Sequence, residues 1–113
     1  MASARIRVDA KKLINFSTKA LQRLGVSEED AQITARILVA ADLRGVESHG
    51  IVSLVPFYVR GIRGGRINAK PRMKVFSQAP STATMDGDQG LGFVIGHHAM
   101  MEAIHRPYNK EAA

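Results

Sequence analysis

The sequence predicts an α+β fold: three N-terminal helices, a short two-stranded β segment and a C-terminal helix. Three observations carry this. Apolar residues recur at helical spacing from Ala10 to Arg63, alternation replaces that spacing between Arg72 and Met85, and a helix-like apolar run returns after Gly92. Glycine and proline cluster at the boundaries of the expected elements, at Gly25, Gly45, Gly64-Gly65, Pro80 and Gly87 to Gly92, while Pro56 falls inside one.

Residues Ala4 to Val8 have the composition of a short edge strand, and Asp9 is placed to cap a helix carrying Ala10, Leu13, Ile14, Ser17, Leu21 and Leu24 near one face, which Gly25 ends. Ser27-Glu28-Glu29-Asp30 resembles a capping box with acids in the positive first turn. A second helix is therefore expected from Glu28 to about Leu43. Its apolar residues, among them Ile33, Ile37, Leu38 and Val39, are too widely spread for one stripe, so burial on most sides is expected. A third helix is expected from about His49 to Arg63, kinked at Pro56, which lacks a backbone donor and crowds the carbonyl of Val52. Gly64 and Gly65 stop it. Arg72–Ala79 and Ser81–Met85 read as two strands broken at Pro80, Asp86-Gly87-Asp88-Gln89-Gly90 has turn chemistry, and Phe93 to Arg106 reads as the last helix, ended by Pro107.

At 113 residues the chain has room for one domain, spanning 1–113, with a core burying roughly two-thirds of the unfolded surface. Hydrophobic content is 45%, and with no Trp the core depends on Leu, Ile, Val, Ala and Met. The absence of cysteine excludes a disulfide framework or a thiolate metal site and is compatible with a reducing cytoplasm. No N-terminal signal region is recognisable, and no apolar run approaches the ~20 residues needed to span a bilayer. A cytoplasmic protein without membrane partners is expected. The net charge of +6 is concentrated between Ser48 and Met85, where six basic residues (Arg60, Arg63, Arg66, Lys70, Arg72, Lys74) meet no acid. That stretch lacks the interleaved aromatics that stack bases, and no helix-turn-helix or zinc pattern accompanies it. It reads as a solvated basic face or a subunit contact, with no specific nucleic-acid partner.

The candidate site is the run Ala40-Ala41-Asp42-Leu43-Arg44-Gly45-Val46-Glu47-Ser48-His49-Gly50, where an apolar segment gives way to polar, titratable and small residues. A purely structural reading makes Gly45 a left-handed residue ending one helix, puts Arg44 at its negative end and makes Ser48 the cap of the next. A functional reading adds a histidine beside a serine, flanked by glycines that leave room for a ligand, suited to proton donation toward a small anionic substrate.

Other constellations do not close. Asp86 and Asp88 lack the further oxygen ligands of a calcium loop, and Gly90-Leu91-Gly92 is followed by Gly96, one residue too late for a dinucleotide loop. His97 and His98 are adjacent and His98 and His105 lie two turns apart, so no zinc spacing arises and no metal site is expected. Surface or interface roles fit these histidines.

The run Asp42-Leu43-Arg44-Gly45-Val46-Glu47-Ser48-His49-Gly50-Ile51 closely resembles the signature of the malate/L-lactate dehydrogenase family, which also contains ureidoglycolate, sulfolactate and diketogulonate oxidoreductases. A second block, Met85-Asp86-Gly87-Asp88-Gln89-Gly90-Leu91-Gly92 and the helix-like run to Met100, resembles the family's next block. The resemblance extends from about Val8 to Ile104. It implies an oxidoreductase that interconverts small 2-hydroxy acids and 2-oxo acids with NAD or NADP, on a fold unrelated to the doubly wound nucleotide-binding sheet. It also implies a homo-oligomer, usually a homodimer of much longer chains.

Carried onto matching positions, the resemblance makes His49 the proton donor or a substrate-orienting group and Ser48 its hydrogen-bonded neighbour, with Arg44 holding the turn. Where the family often has an arginine four residues after that histidine to clamp a carboxylate, this chain has Ser53, which is the substrate-binding candidate at that position. Arg60 is the candidate replacement cation if the helix kinks, and Tyr58 a candidate pocket hydroxyl. The family's later Ser-Asn-His-Phe-Gly block and its cofactor-binding residues are absent, so the chain is expected to be an N-terminal portion, inactive by itself. The alternative is a truncated, non-catalytic paralogue acting as a dimerisation or interaction module. Self-association is expected because the helices near Leu38 and Phe93 carry more apolar surface than a domain of this size covers.

Overall fold

Two helices with matched ends make the first layer, and the computed structural model describes residues 5–106 around them. Helix α1 (Ala10–Arg23) begins where the Asp9 side chain accepts the Lys11 N–H at 3.1 Å. Helix α2 (Glu28–Leu43) begins where the Ser27 hydroxyl accepts the Asp30 N–H at 3.2 Å, with Glu28, Glu29 and Asp30 in its positive first turn. The turn between them closes with Val26 N–H on Leu21 O and Gly25 N–H on Gln22 O. This is a Schellman end, whose hydrophobic contact is the buried pair Leu21 and Val26.

The core forms where α2 meets α1 on one side and α4 (Gly92–His105) on the other. Leu21, Leu38, Leu54, Leu91 and Val94 are buried there in one cluster. Small residues on α2, Ala31 and Ala35, are fully buried and let the neighbouring helices approach, while the buried Thr34 hydroxyl satisfies itself on Asp30 O at 2.9 Å. The expectation that α2 is buried on most sides holds only for this face. Ile37 is 38% and Leu43 72% exposed, on the part of the α2 surface that neither α1 nor α4 covers.

After α2 the chain does not make the single kinked helix expected from His49 to Arg63. It makes 3-10 turns at Glu47–His49 and Ile51–Ser53, a π-helical turn at Leu54–Val59 and the short helix α3 (Arg60–Arg63). Pro56 has no N–H to continue an α-helical ladder, and the backbone accommodates it by widening. Arg66 supports the widened turn: its guanidinium donates to Phe57 O at 3.0 Å and lies 5.9 Å from the centre of the Phe57 ring. Gly64 and Gly65 end α3, as expected.

Strands β1 (Lys74–Ala79) and β2 (Thr82–Asp86) form an antiparallel hairpin through Pro80-Ser81, with Lys74 opposite Asp86 and a bulge between Ser77 and Ala79. β1 starts two residues later than expected because the Arg72 N–H is already taken by the Asp88 carboxylate at 2.8 Å. The same carboxylate accepts from the Asn68 amide at 3.1 Å, and Asp86 accepts the Asp88 N–H at 2.9 Å. The aspartate turn is thus held by its own side chains, as its composition predicts.

The expected strand at Ala4–Val8 is not formed within the described residues 5–8, which belong to no ladder. Ile6 and Val8 are exposed, and the hairpin pairs only with itself. Residue 4 and the expected stop at Pro107 lie outside the described residues. No helix is long and apolar enough to cross a membrane among those residues.

Leu38 is fully buried in the shared cluster. Leu38→Ala should lower the free energy of unfolding by about 2–5 kcal/mol, whereas Ser27→Ala, which removes one cap, should cost about 1 kcal/mol. Urea unfolding followed by circular dichroism checks both.

Candidate functional site

The site stretch begins at the end of α2. Arg44 closes the helix, and Gly45, at φ +80°, takes the left-handed conformation expected of it. Its N–H bonds Asp42 O at 3.0 Å and the Val46 N–H bonds Ala41 O at 2.9 Å, a second Schellman end. The chain is thereby turned sharply out of α2 and into the turn that carries Ser48 and His49.

Ser48 is not the helix cap that the sequence suggests. Its hydroxyl lies 2.8 Å from His49 Nδ1, and the capping function passes to Asp42, whose carboxylate accepts the Ile51 N–H at 2.8 Å. Asp42 sits in the last turn of α2, where a negative charge opposes the helix dipole. That electrostatic misfit is the signal by which sequence reasoning could have singled it out; a charge-assisted bond of this type is worth about 1.5–3 kcal/mol. Gly50 is buried against it, since a Cβ there would meet both carboxylate oxygens.

Ser53 joins the same cluster, its hydroxyl donating to Ser48 O at 3.2 Å. Ser48 and His49 are exposed and Ser53 is half-buried. At the far side of the turn, the exposed Glu47 pairs with Arg5 at 2.7 Å. Tyr58 is elsewhere: its ring packs on Phe93 at 5.0 Å between ring centres, joining the π-helical turn to α4. Arg60 is exposed on α3, and its side chain makes no hydrogen bond or ion pair among the described residues. The structure therefore gathers Ser48, His49 and Ser53, and leaves Tyr58 and Arg60 outside that hydrogen-bonded group.

Two cavities, of about 290 and 340 Å³, lie between the hairpin and α4, lined by residues such as Val75, Met85 and Glu102, and neither reaches His49. The glycines before α4 do not cradle a dinucleotide. A Cβ at Gly90 would lie 2.7 Å from the Pro71 ring, so this glycine serves close packing, and Leu91 is buried in the core. Among the described residues these glycines therefore offer no cradle for the nicotinamide coenzyme that the resemblance implies. Nor do those residues hold a cluster of three or more His, Asp or Glu able to bind a metal.

The sequence model of malate/L-lactate dehydrogenases matches residues 8–110. The chain belongs to the malate/L-lactate dehydrogenase family. It is 50% identical over 101 residues to the malate dehydrogenase of Pyrococcus horikoshii, covering 89% of this chain and 28% of that protein. It is 48% identical over 99 residues to the L-sulfolactate dehydrogenase of Methanocaldococcus jannaschii, covering 88% of this chain and 28% of the relative. The solved structure of the P. horikoshii enzyme superposes with a TM-score of 0.85 over 89% of this chain and 29% of that one. The M. jannaschii structure also gives 0.85, at 42% identity over 89% of this chain and 29% of that one. This chain thus spans a little over a quarter of the length of the relatives it matches, and its α+β arrangement is that of their matching segment.

The contact between Gly50 and Asp42 leaves no room for a methyl group. Gly50→Ala should displace the carboxylate and destabilise the fold by about 1–3 kcal/mol. Differential scanning fluorimetry against Gly92→Ala, where a Cβ meets nothing within 4 Å, isolates the steric effect from the change of residue type.

Proposed function

We propose that this chain forms the N-terminal part of an NAD(P)-dependent oxidoreductase that interconverts small 2-hydroxy acids and 2-oxo acids, and that His49 is its proton donor. The observation that carries this reading is the 2.8 Å contact between Ser48 Oγ and His49 Nδ1 on an exposed turn, within a member of a hydroxy-acid dehydrogenase family.

The chemistry follows from the ring's two nitrogens. Reduction of a 2-oxo acid adds a hydride to the carbonyl carbon and leaves negative charge on its oxygen, which must take up a proton. Imidazolium is suited to give one near neutral pH. With Nδ1 donating to Ser48 Oγ, the Nε2–H is left to point at the substrate oxygen; in the reverse direction the neutral ring takes the proton from the 2-hydroxyl group. Ser48 orients the ring. Ser53, tied to Ser48 O, supports the turn, while Arg60 or Tyr58 completes the grip on the substrate carboxylate if they approach in the assembled enzyme.

A nicotinamide coenzyme supplies the hydride when bound, and in this reading the residues that hold it lie outside the described residues. The 113-residue chain alone should therefore show no turnover, because general acid catalysis needs its acid, substrate and reductant in one aligned site. Within a full-length enzyme His49→Ala should lower kcat by roughly 10²–10⁴-fold and leave coenzyme affinity nearly unchanged. Following NAD(P)H oxidation across a panel of 2-oxo acids decides both points: turnover by the isolated chain removes the claim of incompleteness, and an unimpaired His49→Ala enzyme removes the assigned role.

The protein is further proposed to self-associate in a cytoplasmic setting. The apolar surface that supports this is not at Leu38, which is buried, but at Val52, Val55 and Phe57 on the π-helical side and at Phe76, Met100 and Ile104 near the hairpin. Sedimentation at micromolar concentration should give a species heavier than the 12.3 kDa monomer. A lone monomer across that range counts against it.

A further inference from the structure

One residue of α2, Asp42, takes part in holding both ends of the loop that presents His49. At its entrance Asp42 O accepts the Gly45 N–H at 3.0 Å, and at its exit the Asp42 carboxylate accepts the Ile51 N–H at 2.8 Å. Between these points the backbone closes on itself through His49 N–H on Val46 O at 3.1 Å and Gly50 N–H on Glu47 O at 3.2 Å. Ser48 and His49 are therefore suspended between two bonds to one aspartate. Gly50 is buried against that carboxylate with no space for a Cβ, so the exit cannot move toward α2 without breaking the contact. Two further contacts share the anchoring, the Val46 N–H on Ala41 O at 2.9 Å at the entrance and the Ile51 side chain packed on the core at the exit, while the Glu47 carboxylate pairs with the exposed Arg5 and the Ser53 hydroxyl bonds Ser48 O.

We propose that Asp42 is a positioning residue for His49, setting the imidazole's place and the Ser48–His49 hydrogen bond through the backbone of Ile51. The proposal rests on the reading of His49 as proton donor for its functional meaning, but its physical content stands apart from that reading. The carboxylate makes no contact with the imidazole. It acts by fixing the loop's exit, so that the ring is held in one orientation before a substrate arrives, and pre-set geometry of this sort is worth orders of magnitude in rate because small displacements of an acid are costly. An oxygen acceptor is what the site requires; the negative charge strengthens the bond without being essential to it. Asparagine should therefore replace Asp42 with modest loss, and alanine should not.

The test uses the 113-residue chain labelled with nitrogen-15, in wild-type, Asp42→Asn and Asp42→Ala forms, with α1 and α2 amide protection as the control for folding. At a pH where His49 is neutral, the wild-type ring nitrogens should show the separated shifts of one dominant tautomer, as a persistent Ser48–His49 bond demands. Asp42→Ala should bring the two shifts toward a common average and speed Ile51 amide exchange by roughly tenfold or more, the equivalent of one lost hydrogen bond to a charged group. Asp42→Asn should stay near wild type in both. A purely structural aspartate would change amide protection throughout the helices and leave the ring signature of folded molecules untouched. If Asp42→Ala does not fold, the Asp42→Asn spectrum decides, since an averaged ring there contradicts an oxygen-acceptor role. Wild-type shifts already averaged, or Asp42→Ala shifts identical to wild type, overturn the proposal.

Kinetics in the full-length enzyme separates this from the assignment of His49. Asp42→Ala should lower kcat by roughly 10–10²-fold with little change in KM, and should have no further effect when His49 is already alanine. An impaired His49→Ala enzyme in which Asp42→Ala still lowers the residual rate sinks the positioning role alone. An unimpaired His49→Ala enzyme sinks the catalytic reading and leaves the spectroscopic result to stand or fall by itself.

Discussion

The burial of α2 between α1 and α4 is the constraint on which the other features depend. A helix of 16 residues cannot be held by propensity alone and is stabilised by its packed face. That face is built from Ala31, Thr34, Ala35 and Leu38, three small residues and one large one, and Leu38 shares its buried cluster with Leu21 of α1 and Val94 of α4. Because the helix is fixed along that flank, its C-terminal turn is a rigid platform. Whatever is attached to that turn inherits its position.

What is attached is the Ser48–His49 turn. The helix ends in an arrangement that spends its terminal carbonyls on Gly45 and Val46, then adds an acid at a place where the helix dipole disfavours one. The unfavourable dipole term, typically ~0.3–1 kcal/mol at the surface, is smaller than the gain from a carboxylate bonding a backbone N–H. The balance therefore favours Asp42 there, provided the chain returns to meet it. Gly45 supplies the reversal and Gly50 the close approach.

The second half of the chain is organised differently. The 3-10 and π-helical turns from Glu47 to Val59 pack through Leu54 and Tyr58, whereas Val52, Val55 and Phe57 face outward. The hairpin packs on α4 mainly along one edge, with Arg106 reaching Ala79 O and Pro80 O at 3.4 Å and pairing with Glu102 at 2.9 Å. Those outward apolar groups accord with a chain that spans a little over a quarter of its matched relatives' length.

By itself the sequence determined the elements whose signals are local: both ends of α2, the cap of α1, the break between two strands at Pro80, the aspartate turn and the left-handed Gly45. Each depends on a side chain acting within a few residues of its own backbone, so spacing alone was sufficient. The motif around His49 was legible too, and so was the chain's family. Tertiary structure decided the rest. Pro56 announced a disruption, but whether the chain would kink or widen depended on Arg66, ten residues away, being in place to take up Phe57 O. The stretch at residues 5–8 had the composition of a strand, yet a strand exists only where a partner ladder is presented, and the hairpin presents none. Ser48 looked like a cap and Asp42 like an ordinary helix residue; the fold exchanged their roles, because a carboxylate on a buried helix can reach across nine residues only after the loop between has been closed.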